Sequence, residues 1–295
     1  MNWSALTIAI VGGDEREREI ARLAAATGAT VRAYGFPWPD SGIDGVTQTA
    51  NAEAALEDAN YALFPIPGIS PAGQLFAPQA PRPIIPDKQL LSRLAPGAHV
   101  ILGQADEQLR HAADQLGIGI HEYEGDRELM LLRGPAIVEG ALAVAIEHTD
   151  VTLHASTIAV IGHGTIGALL ARTLVLLGAD VHVAARNPAQ RAAAYAAGAH
   201  ASTLDGLTQL APTLAVLFST VPAPVVGRDV LELLPAGALV VDLAAPPGGV
   251  DIDLAKALGH RAVWARGLGR RAPITVGQSQ WTGIRKRIEA LEEAT

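Results

Sequence analysis

The sequence predicts an α/β protein with two doubly wound parallel-sheet domains, and three observations support this fold class. Residues 6–36 and 156–186 share one order of features: an apolar run, a glycine turn, a helix-length segment and a second apolar run. Further short apolar runs alternate with helix-length segments along both halves of the chain. The length of 295 residues suits about two domains. Such alternation is typical of parallel sheets with helices on both faces.

The first half of the chain is predicted to hold four strands, at Leu6–Val11, Val31–Phe36, Tyr61–Ile66 and His99–Gly103. Asp14 is expected to cap a helix that extends to about Thr27, and a further helix is predicted at Asp106–Leu116. We interpret Gly12-Gly13, which lacks a third glycine and precedes two acidic residues, as a structural turn. A role facing a ligand cleft is the alternative.

The segment Pro65–Pro86 contains too many prolines for a helix or a central strand. We expect either a plain surface loop or a loop at the mouth of a cleft, because open α/β sheets bind ligands where their strands end. Ser70 in this loop is a candidate substrate-binding residue.

The second half is predicted to hold strands at Thr157–Ile161, Val181–Ala185, Ala215–Thr220, Leu239–Leu243 and Ala262–Ala265, with a short extra strand at His200–Thr203. A connecting helix is predicted at Arg133–Asp150, with Pro135 near its start. A last helix is predicted at Gly277–Glu293. The expected domains are a flavodoxin-like catalytic domain (1–134), the connecting helix (135–150), a dinucleotide-binding domain (151–275) and a C-terminal helix returning to the first domain (276–295).

Composition excludes several classes of function. The net charge of −8 argues against nucleic acid as a partner, because phosphate binding needs a basic patch. The absence of cysteine excludes disulfides and thiolate chemistry. We expect no signal peptide, membrane span or metal site, because we find no basic start with an apolar core, no uncharged apolar run of about 18 residues and no clustered histidines and carboxylates. These features fit a cytoplasmic protein.

A glycine-rich turn at residues 162–167 carries the clearest functional signal. Gly162, Gly164 and Gly167 have the G-x-G-x-x-G spacing, follow a predicted strand and open a predicted helix. These glycines allow a tight turn, the approach of a pyrophosphate and close packing of helix on strand. The turn therefore predicts a Rossmann dinucleotide site that includes His163, Thr165 and Ile166; a Rossmann-like core that binds nothing is the alternative.

The end of the next strand indicates which dinucleotide is bound. An NAD site is expected to have a carboxylate there, but this chain has Arg186 and Asn187, with Arg191 one turn later. A guanidinium binds a 2′-phosphate by charge-assisted hydrogen bonds. We therefore predict NADP(H) rather than NAD(H), with a plain solvated arginine as the alternative.

Other strand ends supply further candidates. The predicted cofactor-binding residues there are Ser219, Thr220, Val221, Pro222, Asp242, Leu243 and Ala244; a purely local hydrogen-bonding role stays open for Asp242. Arg266 and Arg270 suit a carboxylate-bearing substrate or are solvated loop residues. His148 and Asp150, in a segment expected to enter the cleft beside a nicotinamide, are candidates for moving a proton, and Thr149 for binding substrate. The alternative for His148 is a purely structural role, because a histidine in the last turn interacts favourably with the helix dipole. Glu139 is expected to be buried in an apolar helix as a hydrogen bonder or a catalytic carboxylate.

Four segments together resemble the A subunit of dipicolinate synthase from spore-forming bacteria: IAIVGGDEREREIARLAAATGA, GPAIVEGALAVAIEHTDVTLHASTIAVIGHGTIG, VDLAAPPGGVD and GLGRRAPITVGQ. The resemblance implies NADP-dependent oxidation of dihydrodipicolinate, formed from a lysine-pathway intermediate, to dipicolinate. It also implies a partner, the B subunit of dipicolinate synthase, and a place in the mother cell during sporulation. We further expect a homo-oligomer.

The sequence departs from that family at two strand ends. Ala245-Pro246 stands where the family has Ser-Arg, and Gly269-Arg270 stands where it has Pro-Gly. A related dehydrogenase with a different carboxylate substrate therefore stays open, as does a non-catalytic NADP-binding protein with a regulatory or scaffold role. The architecture also resembles that of D-2-hydroxyacid dehydrogenases, but the arginine and histidine that those enzymes need at these two places are missing.

Overall fold

The computed structural model describes residues 1–294 and divides into two compact units. One comprises Met1–Leu132 together with residues 272–294, and the other is Arg133–Arg271. Each unit contains one six-stranded sheet in which every neighbouring pair of strands is parallel. The predicted fold class is confirmed.

The strands are β1 (Thr7–Val11), β2 (Thr30–Tyr34), β3 (Val46–Gln48), β4 (Tyr61–Leu63), β5 (His99–Leu102), β6 (Gly119–Glu122), β7 (Thr157–Ile161), β8 (Asp180–Ala184), β9 (His200–Ser202), β10 (Val216–Ser219), β11 (Leu239–Asp242) and β12 (Arg261–Trp264). The first sheet has the order β3-β2-β1-β4-β5-β6, and the second has the order β12-β11-β10-β7-β8-β9. In each, the order reverses beside the first strand of the unit, which is where doubly wound sheets bind ligands.

The helices are α1 (Glu15–Ala25), α2 (Ala52–Leu56), α3 (Lys88–Leu91), α4 (Glu107–Leu116), α5 (Arg127–His148), α6 (Thr165–Leu176), α7 (Pro188–Ala196), α8 (Leu207–Leu210), α9 (Arg228–Leu231), α10 (Ile252–Ala257) and α11 (Pro273–Glu293). They cover both faces of each sheet, so each unit has two apolar cores. In the first unit, α11 packs against α1.

Several boundaries differ from the sequence prediction. Strands β3 and β6 were missed because both are short edge strands with partly exposed, largely polar residues. Helix α5 begins six residues earlier than expected and holds Pro135 in its interior. Its start signal is Asp126, whose side chain accepts hydrogen bonds from the backbone amides of Glu128 and Leu129. The predicted proline-rich loop is confirmed, since no helix or strand lies between β4 and α3.

Helix α5 is apolar almost all round. Among residues 1–294 it is the one helix long and apolar enough to cross a membrane by length and composition, and 44% of its apolar window is buried. Core helices of soluble proteins pass the same test. The division between the two units falls inside this helix.

Candidate functional site

The glycine turn between β7 and α6 is shaped for a backbone-bound ligand. Gly162 has φ +90°, and a Cβ on it would lie 2.7 Å from Thr220 Oγ1 and from Val221 Cγ2. A Cβ on Gly167 would overlap the carbonyl oxygen of Gly162. Gly164 differs, because a Cβ there would meet nothing within 4 Å. Two of the three glycines are therefore required by the fold, and the third borders open space.

The amino terminus of α6 is left open by its own side chains. Gly164 is its N-cap residue, and no side chain caps the first turn. The first backbone amides of a helix lack partners within the helix and carry a partial positive charge. This end of α6 can therefore accept a pyrophosphate, which is how a dinucleotide fits the residues present.

The corresponding turn of the first unit is closed by carboxylates. Asp14 and Glu17 form a capping box at the start of α1, and Arg16 holds the Asp14 carboxylate at 2.7 Å. A Cβ on Gly13 would overlap the Glu17 carboxyl group. Burial raises the pKa of Glu17 to about 7, although the charge of Arg16 opposes this shift. The prediction that Asp14 caps α1 is confirmed.

His163 lies inside the glycine turn of the second unit. Its imidazole is half-buried, and its Nε2 atom is enclosed without a hydrogen-bond partner among the described residues. Desolvation by burial lowers the pKa of His163, so the ring is neutral at pH 7. Because Nε2 is enclosed by protein, it does not face the open space beside Gly164.

The end of β8 presents two guanidinium groups. Arg191 donates to the backbone oxygens of Ala185 at 2.8 Å and of Arg186 at 2.7 Å. Arg186 is exposed and forms no ion pair within residues 1–294. Asn187 caps α7 through the amide of Ala189. No carboxylate side chain occurs from residue 185 to residue 191, so this strand end suits an anion.

The ends of β10 and β11 support the glycine turn from the side. Thr220 Oγ1 donates to the backbone oxygen of Ile161 at 3.0 Å. The Asp242 carboxylate is fully buried and accepts hydrogen bonds from the amides of Ala244, Gly249 and Val250. Asp242 therefore orders the turn after β11. The hydroxyl of Ser219 is buried, with no partner in the described part of the chain.

Four more of the predicted cofactor residues lie at these same strand ends. Leu243 and Ala244 directly follow β11, and Ala244 is 5% exposed while its oxygen accepts a hydrogen bond from Trp264 Nε1 at 2.9 Å. Val221 contacts Gly162, and Pro222 follows it in the turn after β10. The structure thus gathers the predicted cofactor residues of β7, β8, β10 and β11 at the carboxyl edge of one sheet.

A cationic turn follows β12 at the same edge. Arg271 donates to the Glu139 carboxylate, and the Arg266 guanidinium lies over the ring of Trp264 at 5.6 Å. Arg270 lies in the same turn. The expectation that Glu139 is buried is wrong, because 62% of its side chain is exposed. It faces outward since the close contact of α5 with the turn is made by the next residue, Gly140, against Leu268.

His148, Thr149 and Asp150 lie at the amino-terminal edge of the second sheet. Arg261, the first residue of β12, donates to the backbone oxygen of His148 at 2.9 Å and to the Asp150 carboxylate at 2.8 Å. The glycine turn begins at the other edge, where β7 ends. A strand of five residues separates the two edges by about 13 Å. Asp150 therefore pairs with Arg261 rather than with His148.

The direction of α5 explains this placement. Gly134 contacts Leu169 and lies near Ile166 in the first turns of α6. The helix then runs antiparallel to the strands, and the 14 residues to His148 cover about 21 Å. The Nδ1 atom of His148 forms a hydrogen bond of 2.9 Å with the backbone oxygen of Val144, one turn earlier in the same helix. The structure thus does not bring this segment to the glycine turn, contrary to the expectation that it enters the nicotinamide cleft.

Ser70 belongs to the first unit. It lies in the exposed proline-rich loop, where its amide donates to Gln74 at 2.8 Å and its hydroxyl accepts from the Gln74 amide at 3.3 Å. These bonds close a small local turn.

Sequence reasoning also missed a cluster of Asp180, His182 and His200 on β8 and β9. The Asp-x-His spacing on a predicted strand was its available signal, because residues two apart on a strand share a face.

Comparison with known proteins agrees with this architecture. Residues 7–124 match the model of the N-terminal domain of the dipicolinate synthase A subunit. Residues 143–268 match that of the D-isomer specific 2-hydroxyacid dehydrogenase NAD binding domain. Fold and site together define a two-domain, dehydrogenase-like protein with a domain for a nicotinamide dinucleotide.

Within that class, the chain resembles the A subunit of dipicolinate synthase, as the sequence predicted. It is 29% identical to that protein from Bacillus subtilis (strain 168) over 276 residues, which is 93% of each chain. The crystal structure of the dipicolinate synthase A subunit from Bacillus halodurans matches with a TM-score of 0.89 at 28% identity, covering 97% of this chain and 98% of that one. The A chain of dipicolinate synthase from B. subtilis matches with a TM-score of 0.86 at 28% identity, covering 98% of both chains.

Proposed function

We propose that this chain is an NADP-dependent oxidoreductase that converts dihydrodipicolinate to dipicolinate. The observation that carries the proposal is the open amino terminus of α6, where Gly164 borders free space and no side chain caps the helix. The likeness to the dipicolinate synthase A subunit over nearly the whole chain supports the choice of substrate.

Residues of the second unit hold the cofactor in this proposal. The amides at the start of α6 bind the pyrophosphate, and His163 belongs to the turn that carries them. Arg186 and Arg191 receive the 2′-phosphate, since both lie at the end of β8 without a neighbouring carboxylate. Thr220, Val221 and the turn ordered by Asp242 form the wall beside the glycine turn. When bound, NADP⁺ accepts a hydride from the substrate.

The remaining residues act on the substrate. Arg266 and Arg270, in the turn after β12, bind its carboxylates. The substrate must also lose a proton as the ring becomes aromatic, and we assign its acceptance to Glu139. The position of Glu139 beside that turn supports this choice over His148 and Asp150, which lie at the other edge of the sheet.

The reaction is tested by mixing the purified chain with NADP⁺ and freshly prepared dihydrodipicolinate and following formation of NADPH and dipicolinate. Glu139→Gln should lower kcat at least tenfold with little change in NADP binding, because the amide keeps the shape of the side chain and cannot take the proton. His148→Ala should keep most of the activity. Loss of activity in His148→Ala, with activity kept in Glu139→Gln, would instead identify His148 as the base. Failure of the unaltered chain to turn over, by itself or together with the B subunit of dipicolinate synthase, would refute the enzyme proposal.

A second candidate is a related dehydrogenase with a different carboxylate substrate. It is favoured by the turn after β11, where residues 244–249 include no basic side chain to bind a second carboxylate. Turnover of another cyclic or open-chain carboxylate, but not of dihydrodipicolinate, would select it. NADP binding without any turnover would select a regulatory or scaffold role.

We further propose that the chain acts in the cytoplasm of the mother cell as a homo-oligomer that works with the B subunit of dipicolinate synthase. The name of its relatives, which designates one subunit of a synthase, supports a partner. Size-exclusion chromatography of the chain, with and without the B subunit, tests both associations.

A further inference from the structure

A group of two imidazoles and one carboxylate lies on the outer strands of the second sheet. His182 on β8 and His200 on the edge strand β9 are direct partners in the parallel register. Asp180 lies two residues before His182, so its side chain is on the same face. The two imidazole rings stack with centroids 4.7 Å apart. Three potential metal ligands are thus fixed by regular strand geometry rather than by a loop.

The distances within this group match those between the ligands of a small cation. His182 Nε2 lies 3.2 Å from Asp180 Oδ2, and His200 Nε2 lies 3.3 Å from Asp180 Oδ1. One ligand atom from each residue can be chosen so that all three lie within 4.8 Å of one another. Ligands around a tetrahedral zinc ion, at about 2.1 Å from the metal, are about 3.4 Å apart. Each imidazole therefore already lies at about this separation from one carboxylate oxygen of Asp180, His182 from Oδ2 and His200 from Oδ1. Rotation of the exposed His200 side chain can bring its ring nitrogen towards the oxygen that faces His182.

We propose that Asp180, His182 and His200 form a binding site for a divalent transition metal ion. Two imidazoles and a carboxylate are a ligand set that suits zinc and its neighbours and does not suit magnesium or calcium, which prefer oxygen alone. The hydroxyl of Thr157 lies 3.3 Å from Asp180 Oδ2 and donates to it, which holds the carboxylate in place. Water takes the position left open by three protein ligands.

The location indicates what the bound ion does. Asp180 begins β8, whereas the cofactor candidates lie after the carboxyl ends of the strands. The ion links the edge strand β9 to β8, so it stabilises the second unit without contacting the glycine turn. Metal binding and dinucleotide binding are therefore independent, and either can fail without the other.

Titration of the full chain, freed of any affinity tag and chelator-treated, tests the site with Zn²⁺ in a calorimeter. Co²⁺ serves as a second probe because tetrahedral coordination gives it intense visible absorption. We expect one ion per chain, and a higher Tm with Zn²⁺. Binding should weaken at least tenfold in His182→Ala and in His200→Ala, because each variant lacks one of the three ligands. His111→Ala, which removes an exposed histidine of the first unit, is the matched control and should bind as the unaltered chain does.

Circular dichroism in the absence of metal establishes that each variant is folded, and the double variant His182→Ala/His200→Ala with NADP establishes that its second unit is intact. Zinc binding of equal strength in that double variant would overturn the proposal, as would the absence of saturable binding to the unaltered chain. Loss of binding in both single variants, with unchanged affinity for NADP, would establish the site.

Discussion

Gly164 and Gly167, in the turn after β7, differ in whether the protein leaves room for a side chain. Gly167 is confined by protein, because a Cβ would overlap the oxygen of Gly162. Gly164 is not confined, because its φ of −76° is ordinary and nothing lies within 4 Å of a Cβ. A methyl group at residue 164 therefore tests for a ligand, and one at residue 167 tests the fold.

We expect Gly164→Ala to fold normally and to bind the dinucleotide at least tenfold more weakly, because the methyl group occupies the approach of the pyrophosphate. Gly167→Ala should lower Tm as well. Fluorescence titration with the reduced cofactor and a thermal melt of both variants provide the measurement. Unchanged affinity in Gly164→Ala would place the ligand elsewhere.

The proposed preference for NADP over NAD depends on Arg186. We expect Arg186→Ala to weaken NADP binding about 10- to 100-fold and NAD binding little, since a hydrogen bond to a charged group contributes about 1.5–3 kcal/mol. Arg172→Ala removes another exposed arginine of the same unit and serves as the control. Equal losses for NADP and NAD would contradict the assignment of the 2′-phosphate.

At the scale of elements, α1 and α6 begin in the same way and differ at their first turn. Each follows a strand and a glycine turn, but the capping box of Asp14 and Glu17 occupies the amino terminus of α1. The first backbone amides of α6 receive no side-chain cap, whereas the corresponding end of α1 is capped by its own carboxylates. A helix that caps itself cannot also bind an anion at that end, so one of the two units keeps the dinucleotide site.

The cap of α1 makes the stability of the first unit depend on pH. The folded-state pKa of Glu17, about 7, lies above the ordinary value of 4.5 because burial disfavours the charged carboxylate. The stabilising contribution of Glu17 to the free energy of unfolding is fully present below about pH 4.5. It is lost as the pH rises through 7, and the loss amounts to about 3 kcal/mol. Glu17→Gln should remove this dependence, because the amide stays neutral and can accept from the Asp14 amide.

The free energy of unfolding of the unaltered chain and of Glu17→Gln is measured by urea denaturation between pH 4.5 and pH 8.5. A parallel decline of both curves would show that Glu17 does not titrate in this range. Asp14→Ala, which removes the other half of the box, should destabilise the chain at every pH by about 1 kcal/mol or more.

Features of the fold and site that depend on residues close in sequence could be predicted, whereas features that depend on contacts between distant segments could not. The glycine turn, the cap of α1 and the arginines after β8 were predictable because spacing within a few residues determines them. The position of His148 was not, because it depends on the direction in which α5 packs on the sheet. The edge strands β3 and β6 escaped detection since partly exposed residues show no apolar alternation. The three-residue cluster of β8 and β9 needed the register of two strands.

At the scale of the whole molecule, the two units differ in continuity. The second is one stretch of chain, whereas the first is completed by α11, whose Trp281, Ile284 and Ile288 are buried in its core. Burial of such side chains contributes about 2 kcal/mol each. Residues 133–271 therefore include both apolar cores of the second unit, whereas residues 1–132 lack part of one core of the first.

We expect a fragment of residues 133–271 to fold and to bind NADP. A chain cut after residue 272 should retain that binding and lose the cooperative unfolding of its first unit. Chemical denaturation followed by circular dichroism, with cofactor titration of both products, tests this expectation. A cut chain as stable as the full one would contradict it.

The discontinuity of the first unit also sets the order of events during synthesis. The ribosome needs roughly 10–30 s to proceed from residue 132 to the end of α11, at about 5–20 residues per second. Throughout that interval the nascent chain displays the apolar side of α1 that α11 will cover. The second unit is synthesised later than most of the first, but it can complete its folding earlier. The half of the protein that leaves the ribosome earliest is thus the last to become safe from aggregation.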